Sequence, residues 1–472
     1  MSQQDKQPSQ IKSPMKETKE NVILHHLNSQ RAFFASNETK DVAFRLKQLS
    51  KLKHVVIEYQ EQIQHALWDD LHKSPEEAYI TEISIVLSEI DNHIKHLKRW
   101  AKPKRVATPL YLRPSSSKII YEPLGVALIV APWNYPFQLL FNPLVGAISA
   151  GCCTILKPSP DTPTVATLME EMIAKTFSTN YIALVQGGKE TNTHLFKQRF
   201  DLMFFTGSPK VGKVVMKAAA EHLTPVILEL GGKSPCIVDK DANIDKAAKR
   251  IVFGKLINAG QTCIAPDYLF AHHFIKDKLL DKITFYIKQM YGDDIKKNRF
   301  YPRIVNDDAM NRLAGLMNEG TIHLGGEVDF EKRYISPTII DDVKPEYEIM
   351  KEEIFGPILP VMTFDTIAQP IAYINNNEKP LAFYYFGNNK RAKEILNSTT
   401  SGGACINDTI MHVANHHLPF GGVGNSGLGN YHGHNSFLAF SNKRAVVKTP
   451  TWIDIPFKYP PFKYFKWIKK IL

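Results

Sequence analysis

Between Gly125 and Leu230 the chain alternates short, almost unbroken apolar runs with helical patterns, and this rhythm restricts the fold more than any other feature. "GVALIVA" (125–131), "CTILK" (153–157), "YIALVQG" (181–187), "LMFFTGS" (202–208) and "PVILEL" (225–230) read as strands. "FQLLFNPLVGAISAG" (137–151), "VATLMEEMIAKTF" (165–177) and "KVGKVVMKAAAEHL" (210–223) read as helices between them. A strand that is apolar at nearly every position is covered on both faces, and strands separated by helices run parallel. The fold class is therefore α/β, with a sheet that takes its ligands beyond the carboxyl ends of the strands.

The flanking regions extend this plan. From Asp41 to Trp100 apolar residues recur at three- and four-residue steps, which predicts helices. A strand is expected near 118–121. A second alternating region runs from "SPCIVDK" (234–240) past "TIMHV" (409–413), with helices near 243–258 and 275–291, and reads as a second α/β domain. At 472 residues the chain exceeds what one core holds, so more than one domain is expected.

Composition narrows the function classes. No apolar run approaches the roughly 18 residues that span a bilayer. The first twenty residues are polar and charged, without the apolar stretch of a secretory signal, and read as a disordered leader. The five cysteines form no CxxC pair, so neither a structural zinc site nor a disulfide framework is expected, and a reducing cytoplasm fits. The net charge is +11 and the isoelectric point near 9.1, a balance that attracts anions without choosing among them. Part of it lies in the final "PPFKYFKWIKKIL", where Lys463, Lys466, Lys469 and Lys470 alternate with aromatic and aliphatic residues. Two readings stay open for this tail: a short basic helix lying in a membrane interface, or a segment packed on the protein's own surface.

Several residues sit where chemistry is expected. "GVGNSG" (422–427) matches a dinucleotide-binding pattern, but no apolar strand precedes it and Val447 stands about where the ribose-binding acid belongs, so it reads as a tight structural loop. "FTGSPKVG" (205–212) instead lies where a buried strand hands over to a helix. Gly207 and Gly212 would let the backbone approach a pyrophosphate, and Ser208 stands at the helix start. Lys157 ends another strand. Glu229 interrupts "PVILEL" near its end, where desolvation would raise its pKa towards that of a general base; the plainer reading pairs it with Lys233. Asn134, in "APWNYP", is either an amide aimed at an oxyanion or, more commonly on such spacing, an Asx cap on the next helix. Cys263, in "NAGQTCIAP" (258–266), is either a nucleophile or an inert buried thiol.

The segments "PWNYP", "LKPS", "FTGSPKVG", "LELGGKSP", "GQTC", "EEIFGP" and "LPFGGVGNSG" occur in the order of the NAD(P)-dependent aldehyde dehydrogenases, and the chain resembles that family from about Ala43 to about Lys448. The wording of "GQTCIAPDY", "KPLAFYYF" and "LPFGGVGNSGLGNYHG" is similar to the class 3 branch, which oxidises aromatic and fatty aldehydes. The resemblance implies a Rossmann-like cofactor domain over 21–105 and 121–231, a catalytic domain over 232–430 and an oligomerisation element from 106–120 and 431–450. It implies that Cys263 attacks the aldehyde, that Asn134 and the Cys263 backbone N–H hold the oxyanion, and that Glu229 activates the water that releases the acid. Trp133, Lys157, Thr206, Gly207, Ser208, Gly212, Glu353 and Phe355 match cofactor contacts, with Lys157 and Ser208 at the adenosine ribose and pyrophosphate and Glu353 at the nicotinamide ribose. No metal is implied. A homodimer in the cytoplasm is implied, acting on a fatty, aromatic or carotenoid aldehyde, with the tail as a point of membrane contact.

The sequence also departs from the family. "KPSP" replaces the usual "KPSE", so Pro160 stands where an acid bonds the adenosine ribose, which leaves NAD and NADP both open. Cys152 replaces an asparagine and is expected to pack. Pro302 replaces a glycine in a local turn. The alternatives are a coenzyme A-acylating relative, against which Glu229 argues, a Cys/His hydrolase using Cys263 with His412, His416, His417, His432 or His434, and a non-catalytic member of the same fold.

Overall fold

Each apolar run read as a strand between 125 and 230 forms one, with its ends trimmed. The computed structural model describes residues 17–454 together with 459–461, 465 and 469. The strands are Val126–Val130, Cys153–Lys157, Ile182–Leu184, Leu202–Gly207 and Val226–Leu230. Between them, the helices Pro136–Ala150, Pro163–Thr176 and Pro209–Ala220 each open on a proline, so they start one or two residues before the apolar periodicity does. Proline suits that first position because its missing N–H has no intrahelical partner there in any case. Gly151, at φ +96°, closes the first of these helices.

Among the helices not evident from the sequence, two flank the first sheet. Lys189–Phe196 is only eight residues long and mostly polar. Glu20–Ala35 buries Gln30, whose amide donates to Thr154 O at 2.8 Å, and a polar residue on the inner face hides the helical pattern. This helix begins inside what composition reads as a leader. Residues 17–20 are therefore part of the fold, and 1–16 lie outside the described residues.

The five strands run parallel in the spatial order 226–230, 202–207, 126–130, 153–157, 182–184. Chain order reverses between 126–130 and 202–207, and a crevice opens at the carboxyl ends on such a switch. The loop holding Trp133 and Asn134 leaves one of these strands, and Ser208 leaves the other. A sixth, antiparallel strand, Gly427–Leu428, sets Gly427 opposite Glu229. It belongs to the "GVGNSG" loop, whose glycines serve close packing: a Cβ on Gly422 would lie 2.0 Å from Ser426 O, and one on Gly427 2.4 Å from Leu228 O.

Four residues, 231–234, lead from this sheet into Pro235–Val238 of a second. The second sheet orders Thr321–Leu324, Thr338–Asp341, Ile358–Phe364, Tyr268–His272, Pro235–Val238, Ala382–Phe386 and Gly403–Ile406, all parallel except the first. The short link turns the carboxyl ends of the first sheet towards the amino ends of the second. A third, antiparallel sheet of Lys104–Val106, Ser116–Pro123 and Ser441–Lys448 is largely exposed.

Candidate active site

Cys263 lies in the turn between the helix Ile244–Leu256 and the strand Tyr268–His272 of the second sheet. The helix read over 243–258 stops two residues early because Asn258, Ala259 and Gly260 adopt left-handed φ of 52°, 51° and 76°. For a non-glycine residue this conformation costs about 1–3 kcal/mol and persists only where neighbours impose it. A Cβ on Gly260 would lie 2.2 Å from Gly356 O, so only glycine fits there. Asn258 N donates to Glu77 Oε1 at 2.7 Å, and its Nδ2 donates to Asn134 O at 2.8 Å and Gln261 O at 3.1 Å. Gln261 Nε2 donates to Asn258 O and Arg303 O at 3.1 and 3.0 Å, while Gln261 Oε1 accepts from Val305 N at 3.0 Å. The turn carrying Pro302 is thus the clamp on Gln261, and the proline is accommodated there.

Asn134 faces this turn across the crevice. It is buried, and its Nδ2 donates to Gln261 O at 3.0 Å. It makes no cap on the helix Pro136–Ala150, so the Asx-cap reading does not hold. Glu82 does that work: its Oε2 accepts from Phe137 N at 2.9 Å and Gln138 N at 3.2 Å. Lys73 Nζ donates to Glu82 Oε1 at 2.6 Å and to Asn134 O at 3.2 Å, and both side chains of this ion pair are fully buried. The Tyr135 hydroxyl lies 2.6 Å from Thr262 Oγ1, a second tie between the two walls.

Glu229 enters from the first sheet, 3% exposed. Neither carboxylate oxygen has a hydrogen-bond partner among the described residues. The plainer expectation of a pair with Lys233 is not met, because Lys233 bonds Asp267 instead. Burial alone pushes the Glu229 carboxyl well above the ordinary range. The Cys263 thiol is likewise pushed up, by burial first and then by the charges of Glu353 and Glu229. The Cys263 side chain is itself half-buried, and it lies close enough to Glu229 to feel its charge.

The remaining candidates line the same crevice in unequal ways. Lys157 is buried at the end of its strand, donates to Pro158 O at 2.7 Å, and has its pKa lowered to about 8 by desolvation. Thr206 is buried and its Oγ1 has no partner among the described residues. Ser208 Oγ accepts from Val211 N at 3.4 Å and so caps its helix. The two glycines are explained by packing: a Cβ on Gly207 would meet the Phe205 ring at 2.6 Å, and one on Gly212 would meet Leu230 at 2.7 Å. Trp133 and Phe355 form an edge-to-face pair with centroids 5.3 Å apart, Phe355 at φ 52°. Glu353 reaches the Gly231–Gly232 link, where a Cβ on Gly231 would lie 1.9 Å from its Oε2. Its pKa is raised to about 8 by burial and then by Asp267, against the Gly232 N–H, Lys233 and Arg312.

The histidines proposed as partners for Cys263 are engaged elsewhere: His412 Nδ1 lies 3.3 Å from Cys405 Sγ, His416 Nδ1 3.0 Å from Glu89 Oε2, His432 stacks on Phe420 and His434 lies beside Trp100. His417 is exposed, its backbone N–H bonded to Asn415. Cys152 is buried, its thiol donating to Phe440 O at 3.4 Å. Sequence reasoning missed Lys73, Glu77, Glu82, Asn258 and Gln261. The one signal was that Asn258 and Gln261 fall within the motif around Cys263.

A thiol, a buried carboxyl with no partner among the described residues and a fixed amide, gathered beside the switch point of a parallel sheet, agree with the relatives of this chain. Residues 7–446 match the model of the aldehyde dehydrogenase family. The chain belongs to that family. It is 47% identical to the 4,4′-diaponeurosporen-aldehyde dehydrogenase of Staphylococcus aureus, over 95% of this chain and 99% of the relative. It is 44% identical to the dimeric NADP-preferring aldehyde dehydrogenase of Canis lupus familiaris, over 91% of this chain and 96% of that one. Among solved structures, the substrate-bound state of Staphylococcus aureus AldH superposes with a TM-score of 0.94 at 46% identity, covering 95% of this chain and 99% of the other. The NAD-dependent aldehyde dehydrogenase of Sinorhizobium meliloti gives a TM-score of 0.83 at 27% identity, covering 92% and 88%. This family member is an NAD(P)-dependent enzyme that oxidises an aldehyde to its acid.

Proposed function

We propose that Cys263, Asn134 and Glu229 carry this oxidation as nucleophile, oxyanion donor and base. The observation that bears most weight is Glu229: a buried carboxyl with no hydrogen-bond partner on either oxygen among the described residues is costly to keep, and such groups cluster where chemistry uses them. Cys263 Sγ adds to the carbonyl carbon, and the oxygen is held by Asn134 Nδ2 and the Cys263 backbone N–H. The Gln261 and Lys73–Glu82 contacts keep that amide in place before substrate arrives. Loss of the former aldehyde hydrogen as hydride, to the cofactor that would bind beside it, turns the adduct into a Cys263 thioester; Glu229 then takes a proton from water, which attacks the thioester and releases the acid and the thiol.

Thr206 Oγ1, unpartnered in the crevice, and the buried Lys157 fit a phosphate- and ribose-bearing cofactor, with Ser208 and Gly212 at the helix start, Gly207 before it, and Trp133, Phe355 and Glu353 towards Cys263. When bound, the cofactor accepts the hydride. The test is NAD(P)H absorbance across an aldehyde panel with both cofactors. A Cys263→Ala variant as active as the parent would overturn the assignment.

We propose a hydrophobic substrate, a fatty, aromatic or carotenoid aldehyde, as the staphylococcal relative's name supports. We also propose a cytoplasmic homodimer joined through the exposed third sheet and the turn Leu110–Leu112 between two of its strands, where Val106, Leu110, Tyr111 and Val447 are exposed. The canine relative is named as dimeric. The tail 451–472 lies mostly outside the described residues, and among those described no helix is long and apolar enough to cross a membrane. Deleting Pro460 to Leu472 should lower liposome pelleting and turnover of long-chain aldehydes, and an unchanged result removes the membrane role. Leu110→Asp should halve the mass seen by light scattering; an unchanged mass rejects this interface.

A further inference from the structure

The first described residue is a carboxylate placed with care. Glu17 Oε2 accepts from Gly188 N at 2.9 Å, Thr191 N at 3.0 Å and Thr191 Oγ1 at 2.5 Å, at the start of the helix Lys189–Phe196. Thr18 fixes the approach: its Oγ1 donates to Gln186 O at 2.5 Å and its N–H to Thr191 Oγ1 at 2.9 Å. Thr191 is fully buried, so the anchor is rigid. Gly187 and Gly188 make room, since a Cβ on either would come within 2.6 and 2.9 Å of the Glu17 carboxylate.

The strand before this loop, Ile182–Leu184, pairs with Cys153–Lys157, so the Glu17 carboxylate and the Lys157 ammonium stand at neighbouring carboxyl ends and feel each other's charge. Burial opposes ionisation of Glu17, but the hydrogen bonds from Thr191 and Gly188, with Lys157, outweigh it and hold its pKa below the ordinary value. It is therefore an anion at neutral pH. Pro160 is three residues past Lys157 and brings no carboxylate. Asp161, the next acid, is turned to other partners: its Oδ1 accepts from Asn306 Nδ2 at 3.1 Å and its Oδ2 from Ser159 Oγ at 3.2 Å.

We propose that Glu17 supplies the acid that Pro160 lacks, as a cofactor-specificity residue whose carboxylate accepts from the adenosine ribose hydroxyls and repels a 2′-phosphate. This rests on the reading that Lys157 faces that ribose. Three donors converge on Oε2, and Oε1 retains acceptor capacity for a ribose hydroxyl. A carboxylate beside a hydroxyl pair is favourable, whereas beside a phosphate dianion it is not, so the residue selects NAD over NADP.

The test is titration calorimetry of the full-length protein with adenosine 5′-monophosphate and adenosine 2′,5′-bisphosphate, read beside kcat/KM for NAD and NADP. Glu17→Gln should weaken the monophosphate and strengthen the bisphosphate, shifting their affinity ratio by about tenfold or more. Adding Pro160→Glu to that variant should restore the parent's ratio, while Asp161→Asn alone should leave it unmoved. A ratio within about twofold of the parent's in Glu17→Gln overturns the proposal. So does tighter binding of both ligands, which would make Glu17 a plug. Lys157→Ala separates the two readings: if it weakens both ligands while Glu17→Gln does nothing, only the role of Glu17 fails. If Lys157→Ala changes neither, the ribose site itself is misplaced and both readings fall.

Discussion

Two buried carboxylates support the crevice, and they are treated in opposite ways. Glu82 is fully buried and completely satisfied, holding Lys73 with one oxygen and two helix N–H groups with the other. Glu229 is almost as buried and has no partner among the described residues. Burying an ionised group is costly unless hydrogen bonds and an opposite charge replace its water. The Glu82 wall meets that requirement and becomes a rigid base for Asn134. The Glu229 wall leaves it unmet, so its carboxyl stays ready to exchange a proton. Satisfied burial positions, and unsatisfied burial reacts.

The strongest test of the reacting wall is its nucleophile. Cys263→Ala should lower aldehyde oxidation by about 1000-fold or more while leaving the fold intact, because the small side chain creates no buried charge. Circular dichroism beside steady-state rates checks both halves. Glu229→Gln should follow with a loss of roughly 100- to 1000-fold in kcat. An early burst of NAD(P)H should persist, since attack precedes hydrolysis. The parent's kcat should rise with pH above 4.5 as the raised Glu229 carboxyl ionises, and the glutamine variant should lose that limb. A variant with the parent's pH profile would assign the proton transfer to another group.

The reacting wall is also the part that was legible in the sequence. Strands that are apolar at nearly every position, such as "GVALIVA", announce a covered parallel sheet, and Glu229 is conspicuous because it breaks one of them. The supporting wall is built from residues far apart in the chain: Asn134 and Gln261 are separated by 127 positions, and Lys73 and Asn134 by 61. Nothing local marks Lys73 or Glu82 as buried, since charged residues on a helical stretch ordinarily face water. Glu17 was hidden differently, in a segment whose polar composition reads as a disordered leader. Patterning records which face is apolar, whereas a long-range polar network leaves no periodic trace.

Breaking the satisfied wall should therefore act on stability before chemistry. Glu82→Gln leaves the Lys73 charge buried without its counter-ion, at a cost of about 3–5 kcal/mol. Denaturant unfolding should show that loss, with kcat reduced about tenfold as the Asn134 amide loosens. Pairing Glu82→Gln with Lys73→Met should recover much of the stability, because the charge is removed with its partner. If the double variant is as unstable as the single one, the pair matters for its hydrogen bonds to the helix and not for its charge.

Glu353 lies between the two extremes and gives the smallest effect. It is partly served, by the Gly232 N–H, Lys233 and Arg312, yet burial still raises its pKa from 4.5 to about 8. A folded-state pKa above the unfolded value means that the native protein holds a proton the unfolded chain releases. The stability this proton confers is fully present below pH 4.5 and is lost as pH rises towards about 8. Glu353→Gln cannot ionise, so it escapes that loss. The melting temperature of the variant should match the parent's near pH 5 and exceed it by a few °C at pH 8. The parent's cofactor affinity should rise over the same range, because an ionised carboxylate is the better acceptor for a ribose hydroxyl. A variant that melts below the parent at pH 8 would show that Lys233 and Arg312 hold Glu353 ionised, and would move it to the satisfied side of the comparison.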